Sequence, residues 1–128
     1  MSEPIRVVLV DDNESVRKLI RWTLDMDPRF KVVGEAHDGR SAMRTIEMER
    51  PDAIVLDLIM PNMDGYNALT QIPYSSPDSK VMILTDADVE PGVLVFKGAH
   101  AVRAKGEMID GYLLAESLVD LVGADAYI

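Results

Sequence analysis

Five short aliphatic runs alternate along the chain with longer amphipathic stretches, and this alternation constrains the fold more than any other feature. Ile5-Arg6-Val7-Val8-Leu9-Val10 is too continuously apolar for a half-exposed strand and reads as a buried one. Glu14 to Leu24 follows, with Val16, Ile20 and Leu24 spaced four apart on one helical face. Lys31-Val32-Val33-Gly34-Glu35-Ala36 is the second strand. Asp38-Gly39 signals a turn, Ser41 is a candidate N-cap for a helix running to about Glu49, and Pro51-Asp52 stops it. Ala53 to Leu56 is the third strand, ending at Asp57, and a helix is expected from Tyr66 to Ile72 before a loop with Pro73 and Pro77. Val81 to Leu84 is the fourth strand, ending at Thr85. Pro91-Gly92 interrupts the next helical segment, which runs through Val93 to Phe96. Ala101 to Ala104 is a short fifth strand ending at Lys105, and Leu113, Leu114, Leu118, Leu121 and Val122 line the last helix.

Five strands alternating with helices imply an α/β fold, a parallel sheet covered on both faces, with right-handed crossovers. The 128 residues fit one domain with a substantial core. No apolar run approaches the roughly 18 residues of a membrane span, and the first residues lack a signal-peptide pattern, so a cytoplasmic protein is expected. Cysteine is absent, which excludes disulfides, thiolate metal sites and a cysteine nucleophile. A formal net charge of −9 disfavours direct binding to nucleic acid.

In open parallel sheets, ligands bind beyond the carboxyl ends of the strands. Here those ends carry Asp11-Asp12, Asp57, Thr85 and Lys105. Three carboxylates brought together would raise the pKa of at least one, and a hard divalent cation such as Mg2+ would relieve the repulsion. Lys105 adds a point charge for a phosphoryl oxygen, Thr85 adds a hydroxyl, and Asp57 can itself accept a phosphoryl group. Singly, each has a plainer reading: a strand-end aspartate or Thr85 as a cap, Lys105 as a surface lysine. Asp38 and Asp64 precede glycines and read as turn residues. Four strands ending in the right residues are far more specific than any one of them.

With these residues in place, the chain resembles the receiver domain of two-component response regulators. The resemblance runs from Ile5 to about Val122 and rests on Pro51-Asp52-Ala53-Ile54-Val55-Leu56-Asp57-Leu58-Ile59-Met60-Pro61-Asn62-Met63-Asp64-Gly65. Val10-Asp11-Asp12, Leu84-Thr85 and Gly98-Ala99 before Lys105 also match. The pattern around Gly34-Glu35-Ala36 and the absence of a proline after Lys105 are most similar to the LuxR/NarL-type branch, whose receivers precede a helix-turn-helix domain. No such segment follows before Ile128, so either a stand-alone receiver or a piece of a longer regulator is expected.

The resemblance implies a (βα)5 flavodoxin-like fold with strand order 2-1-3-4-5 and a single receiver domain over 1–128. It implies a switch rather than an enzyme that turns over a metabolite. Asp57 would receive the phosphoryl group from a phosphohistidine on a sensor histidine kinase or phosphotransfer protein. Mg2+ (or Mn2+) would be held by Asp12, Asp57 and the Ile59 carbonyl, with Asp11 contributing through water. Thr85 and Lys105 would hold the phosphoryl oxygens. The output would be the face formed by the fourth helix, fifth strand and fifth helix, which could also carry a homodimer.

Departures from the family pattern cluster near the output. Gly106 stands where many receivers have a proline in a cis bond; a cis bond before glycine costs roughly 2.5–4 kcal/mol, so trans is expected. Val102 replaces the aromatic switch residue, Arg103 occupies a commonly apolar position, and the Thr85–Gly98 stretch is short. Asp86 replaces a small residue, either as a fourth negative charge near the pocket or as an N-cap for the fourth helix. These changes keep open a pseudo-receiver that binds partners without phosphate. A phosphatase with an aspartyl nucleophile is disfavoured, because its second acid would fall at Ile59.

His37 and His100 read as surface residues, the eight methionines as packing, with Met60 and Met63 under the loop beyond Asp57. Trp22 lies off the apolar stripe of its helix and is expected to be partly exposed.

Overall fold

A computed structural model describes residues 3–126; the side chain of Met63, whose packing role was expected, and those of residues 124–126 lie outside the described set. The strands are β1 (Ile5–Val10), β2 (Phe30–Ala36), β3 (Ala53–Asp57), β4 (Lys80–Leu84) and β5 (Ala101–Arg103). The helices are α1 (Glu14–Asp25), α2 (Gly39–Glu49), α3 (Asp64–Ser75), α4 (Pro91–Phe96) and α5 (Gly111–Ala126). Single helical turns lie at Pro61–Met63 and Lys105–Met108. All strand pairs are parallel, in the order β2-β1-β3-β4-β5. The expected doubly wound sheet is therefore present.

The continuous apolar strands follow from burial on both faces. In β1, Val8 and Val10 pack on the side of Ala42, Ile46, Leu69 and Ile72. Val7 and Leu9 pack on the opposite side with Ile20, Leu24, Leu114 and Leu118. The two-residue period of a strand divides one run between two cores. Each fully buried Leu or Ile contributes roughly 1.5–3 kcal/mol. Such residues fix the strands, and the strands place their carboxyl ends.

Several local expectations need correction. Asp38, not Ser41, caps α2: its carboxylate accepts the Ser41 N–H and hydroxyl, both at 2.8 Å. Asp64 is not a plain turn residue either; its carboxylate accepts the Gly39 N–H at 2.9 Å and ties the start of α3 to the start of α2. Asp38→Ala should cost about 1 kcal/mol, read as a lower urea midpoint with an unchanged slope. The α3 helix continues through Pro73 to Ser75. Proline forfeits only its own N–H, and Ser76 N still reaches Ile72 O at 2.8 Å. Pro91 opens α4 rather than interrupting it, which suits a residue with no N–H to satisfy.

Asp86 does not cap α4; Glu90 holds that position without a side-chain bond. No peptide bond among the described residues is cis, so Lys105–Gly106 is trans as expected. Arg103 is exposed on the edge strand β5, and Val102 packs partly buried against the core. Trp22 is 66% exposed, and Met60 is buried. His37 and His100 are both exposed, and His100 Nδ1 accepts the Val81 N–H at 3.0 Å. Among the described residues, no helix is long and apolar enough to cross a membrane.

Candidate functional site

The ends of β1, β3, β4 and β5 open onto a cleft of about 590 Å³. Asp12, Asn13, Asp57, Ile59, Thr85, Asp86, Ala87 and Lys105 line it. Asp57 ends the central strand and is buried, with its Oδ1 accepting the Ile59 N–H at 3.1 Å. Lys105 Nζ stands 3.2 Å from Asp57 Oδ2 and 2.8 Å from Asp11 Oδ2. Carboxylate oxygens of Asp11, Asp12 and Asp57 lie within 4.8 Å of one another. Five of the expected site residues thus share one small volume around Asp57, and Thr85 forms its wall.

The surroundings hold each group in place. Asp11 is buried; its Oδ1 accepts the Asn13 N–H at 2.8 Å, and its backbone carbonyl accepts from Arg17 at 2.5 Å. Asn13 caps α1 through the Val16 N–H. Thr85 is buried, and its hydroxyl oxygen accepts the Ala87 N–H at 3.0 Å, which leaves its proton available to donate. The capping reading of Thr85 and its place in the cleft are therefore compatible.

Electrostatics set the character of the cleft. Burial first, and then the Asp11 carboxylate, push the Asp57 carboxyl up from 3.8 to about 6; Lys105 and the Ile59 N–H oppose this. Burial works to lower the Lys105 pKa, but the neighbouring Asp11 and Asp57 carboxylates outweigh it, and the net shift is upward. Three carboxylates against one ammonium leave a formal charge of −2. Asp11 Oδ2 is buried with no hydrogen-bond donor aligned on it, although Lys105 is close. An all-oxygen donor set with a net −2 charge and an unaligned buried oxygen fits a hard divalent cation.

Three contacts escaped the sequence reading. Asn13 was legible as an N-cap residue directly before Glu14. The Arg17 contact to Asp11 is carried by the turn into α1. Asp86 Oδ1 accepts the Gly106 N–H at 3.0 Å, a bond between residues 20 apart with no local spacing signal.

A parallel sheet with an acidic cluster and a lysine at its carboxyl edge defines a receiver-like α/β protein. The family described as "Response regulator receiver domain" matches residues 7–104. The chain belongs to that family. It is 33% identical over 116 residues to the transcriptional regulatory protein DegU of Brevibacillus brevis, covering 91% of this chain and 46% of that protein. The chain thus spans less than half of that relative. Among solved structures, it is similar to a LuxR-family two-component response regulator from Aurantimonas sp. SI85-9A1, with a TM-score of 0.84 and 26% identity, covering 94% of this chain and 86% of that one. It is also similar to a structure of CheY6 in complex with the P1 domain of CheA3 from R. sphaeroides, with a TM-score of 0.80 and 30% identity, covering 95% and 99%.

Proposed function

We propose that this chain is a phosphorylation switch in which Asp57 accepts a phosphoryl group from a phosphohistidine on a kinase or phosphotransfer protein. The observation that carries this reading is a buried carboxylate at the end of the central strand, 3.2 Å from Lys105 Nζ and grouped with two further carboxylates. An Asp57 carboxylate oxygen attacks phosphorus, the N–P bond breaks, and the departing imidazole nitrogen takes a proton. Asp12, Asp57 and the Ile59 carbonyl would hold Mg2+, with Asp11 contributing through water, and the ion would supply charge neutralisation for the transferring group. Lys105 and the Thr85 hydroxyl hold the phosphoryl oxygens.

The output surface in this reading is the face of α4, β5 and α5, where Val95, Phe96 and Tyr112 are exposed. Partner docking or homodimer formation there, in a cytoplasmic setting, would read the state of Asp57. The chain acts as a switch, assisting its own phosphorylation and dephosphorylation.

The test is intact-mass analysis after incubation with Mg2+ and phosphoramidate. The wild type should gain one phosphoryl group, and Asp57→Asn should gain none. Removal of Mg2+ by a chelator should slow uptake roughly hundredfold. Uptake by Asp57→Asn at the wild-type rate would assign the acceptor elsewhere.

A further inference from the structure

Lys105 has to be held at both ends to be useful. Its ammonium is anchored by Asp11 and Asp57. Its backbone begins the helical turn Lys105–Met108, and that turn has a weak start. Ala104 occupies the N-cap position and offers no side-chain acceptor. The first amides of any helical turn lack partners within it and need them from elsewhere. Lys105 N reaches Thr85 O only at 3.4 Å. Gly106 N is met by Asp86 Oδ1 at 3.0 Å. Asp86 thus supplies, from the loop after β4, the cap that Ala104 cannot.

The same loop carries Thr85. Paired residues of β4 and β5 end at Leu84 and Arg103, and Thr85 N bonds Arg103 O at 3.1 Å beyond them. The Asp86–Gly106 bond extends this cross-linking by one more step. It ties the backbone of Thr85 to that of Lys105 where the two side chains face one cleft. A residue with no N–H at position 106 could not complete the pair, so the carboxylate at 86 and the glycine at 106 form two halves of one contact.

We infer that Asp86 is a positioning residue for Lys105: its carboxylate accepts the Gly106 N–H and fixes the backbone from which Lys105 reaches Asp57. The role rests on the proposed phosphoryl uptake at Asp57. Asp86 touches no reacting atom; it acts through Lys105. Its contribution lies in its acceptor oxygen rather than in its charge.

The full chain is incubated with Mg2+ and phosphoramidate, and initial uptake is read by intact mass. Asp86→Ala loses the acceptor and should be slowed roughly tenfold, the scale of a small misplacement of a reacting group. Asp86→Asn keeps a carbonyl oxygen and should rescue the rate to within about twofold of wild type, because an amide oxygen also accepts an N–H. An unchanged rate in Asp86→Ala overturns the inference. So does a common rise in both variants, which would mark Asp86 as a charge that repels the donor. Amide exchange at Gly106 gives a second readout. It should be slow in wild type and Asp86→Asn and faster in Asp86→Ala; equal exchange in all three overturns the pairing itself. A wild type that takes up no phosphoryl group overturns the proposed function and with it the positioning role of Asp86 in uptake, while the exchange comparison still tests the Asp86–Gly106 contact.

Discussion

Gly65→Ala should destabilise the protein by about 3 kcal/mol, the upper end of ordinary overpacking, and lower the melting temperature by about 10 °C. A Cβ at this position would lie 2.3 Å from the Leu58 carbonyl oxygen and 2.6 Å from that of Asp57. The obstacle is backbone, so no side-chain rotation relieves it. Either α3 withdraws or the end of β3 shifts, and β3 carries Asp57. Phosphoryl uptake should therefore fall along with stability. Gly92→Ala is the matched control. Nothing lies within 4 Å of its would-be Cβ, and the substitution should stabilise by roughly 0.5 kcal/mol through the unfolded chain. Thermal melts of the two variants decide the matter: a Gly65→Ala protein melting with the wild type would show that the close approach of α3 to β3 is dispensable.

The sheet was legible because each strand is buried on both faces. A run such as Val7-Val8-Leu9-Val10 fits few other environments, and its division between two cores requires helices on both sides. Helix boundaries were less legible because several residues could serve equally well. Asp38 and Ser41 are both good caps, and only the three-dimensional contact shows that Ser41 donates to Asp38. Pro73 looked like a stop, yet burial of Leu69 and Ile72 carries α3 past it. Asp64-Gly65 looked like a simple turn signal. Its stronger constraint is the approach of Gly65 to the end of β3, where Asp57 lies eight residues back in the chain.

The candidate site was legible because its members sit at strand ends, and strand ends converge by topology. Asp11, Asp12, Asp57, Thr85 and Lys105 all follow that rule. Asp86 illustrates its limit. A local reading offers only a cap or a charge, and neither describes a bond to Gly106 in another loop. The partner was visible in the sequence only as a separate oddity, a glycine after Lys105. Only the three-dimensional contact joins the two.

Asp57→Asn should make the metal-free protein more stable at neutral pH while abolishing phosphoryl uptake. The Asp57 carboxyl is raised from 3.8 to about 6 by burial and by Asp11. The native state therefore binds this proton more tightly than the unfolded chain does. Between about pH 4 and pH 6 the native state holds more protons, so stability falls as pH rises through that window. Above it the full cost of keeping a buried carboxylate charged is present, on the order of 3 kcal/mol. An asparagine carries no such cost. The gain over wild type should be largest near pH 7 and disappear near pH 4, where wild-type Asp57 is protonated in the native state. Saturating Mg2+ should narrow the gap at pH 7 by stabilising the wild type, since a ligand that binds only the native state adds to its stability. Urea unfolding of both proteins from pH 4 to pH 7.5, with chelator and with Mg2+, provides the measurement. A gap that is the same at both ends of the pH range would mean that Asp57 is not held charged against its surroundings, and the case for a cation-relieved acidic cluster would fail with it.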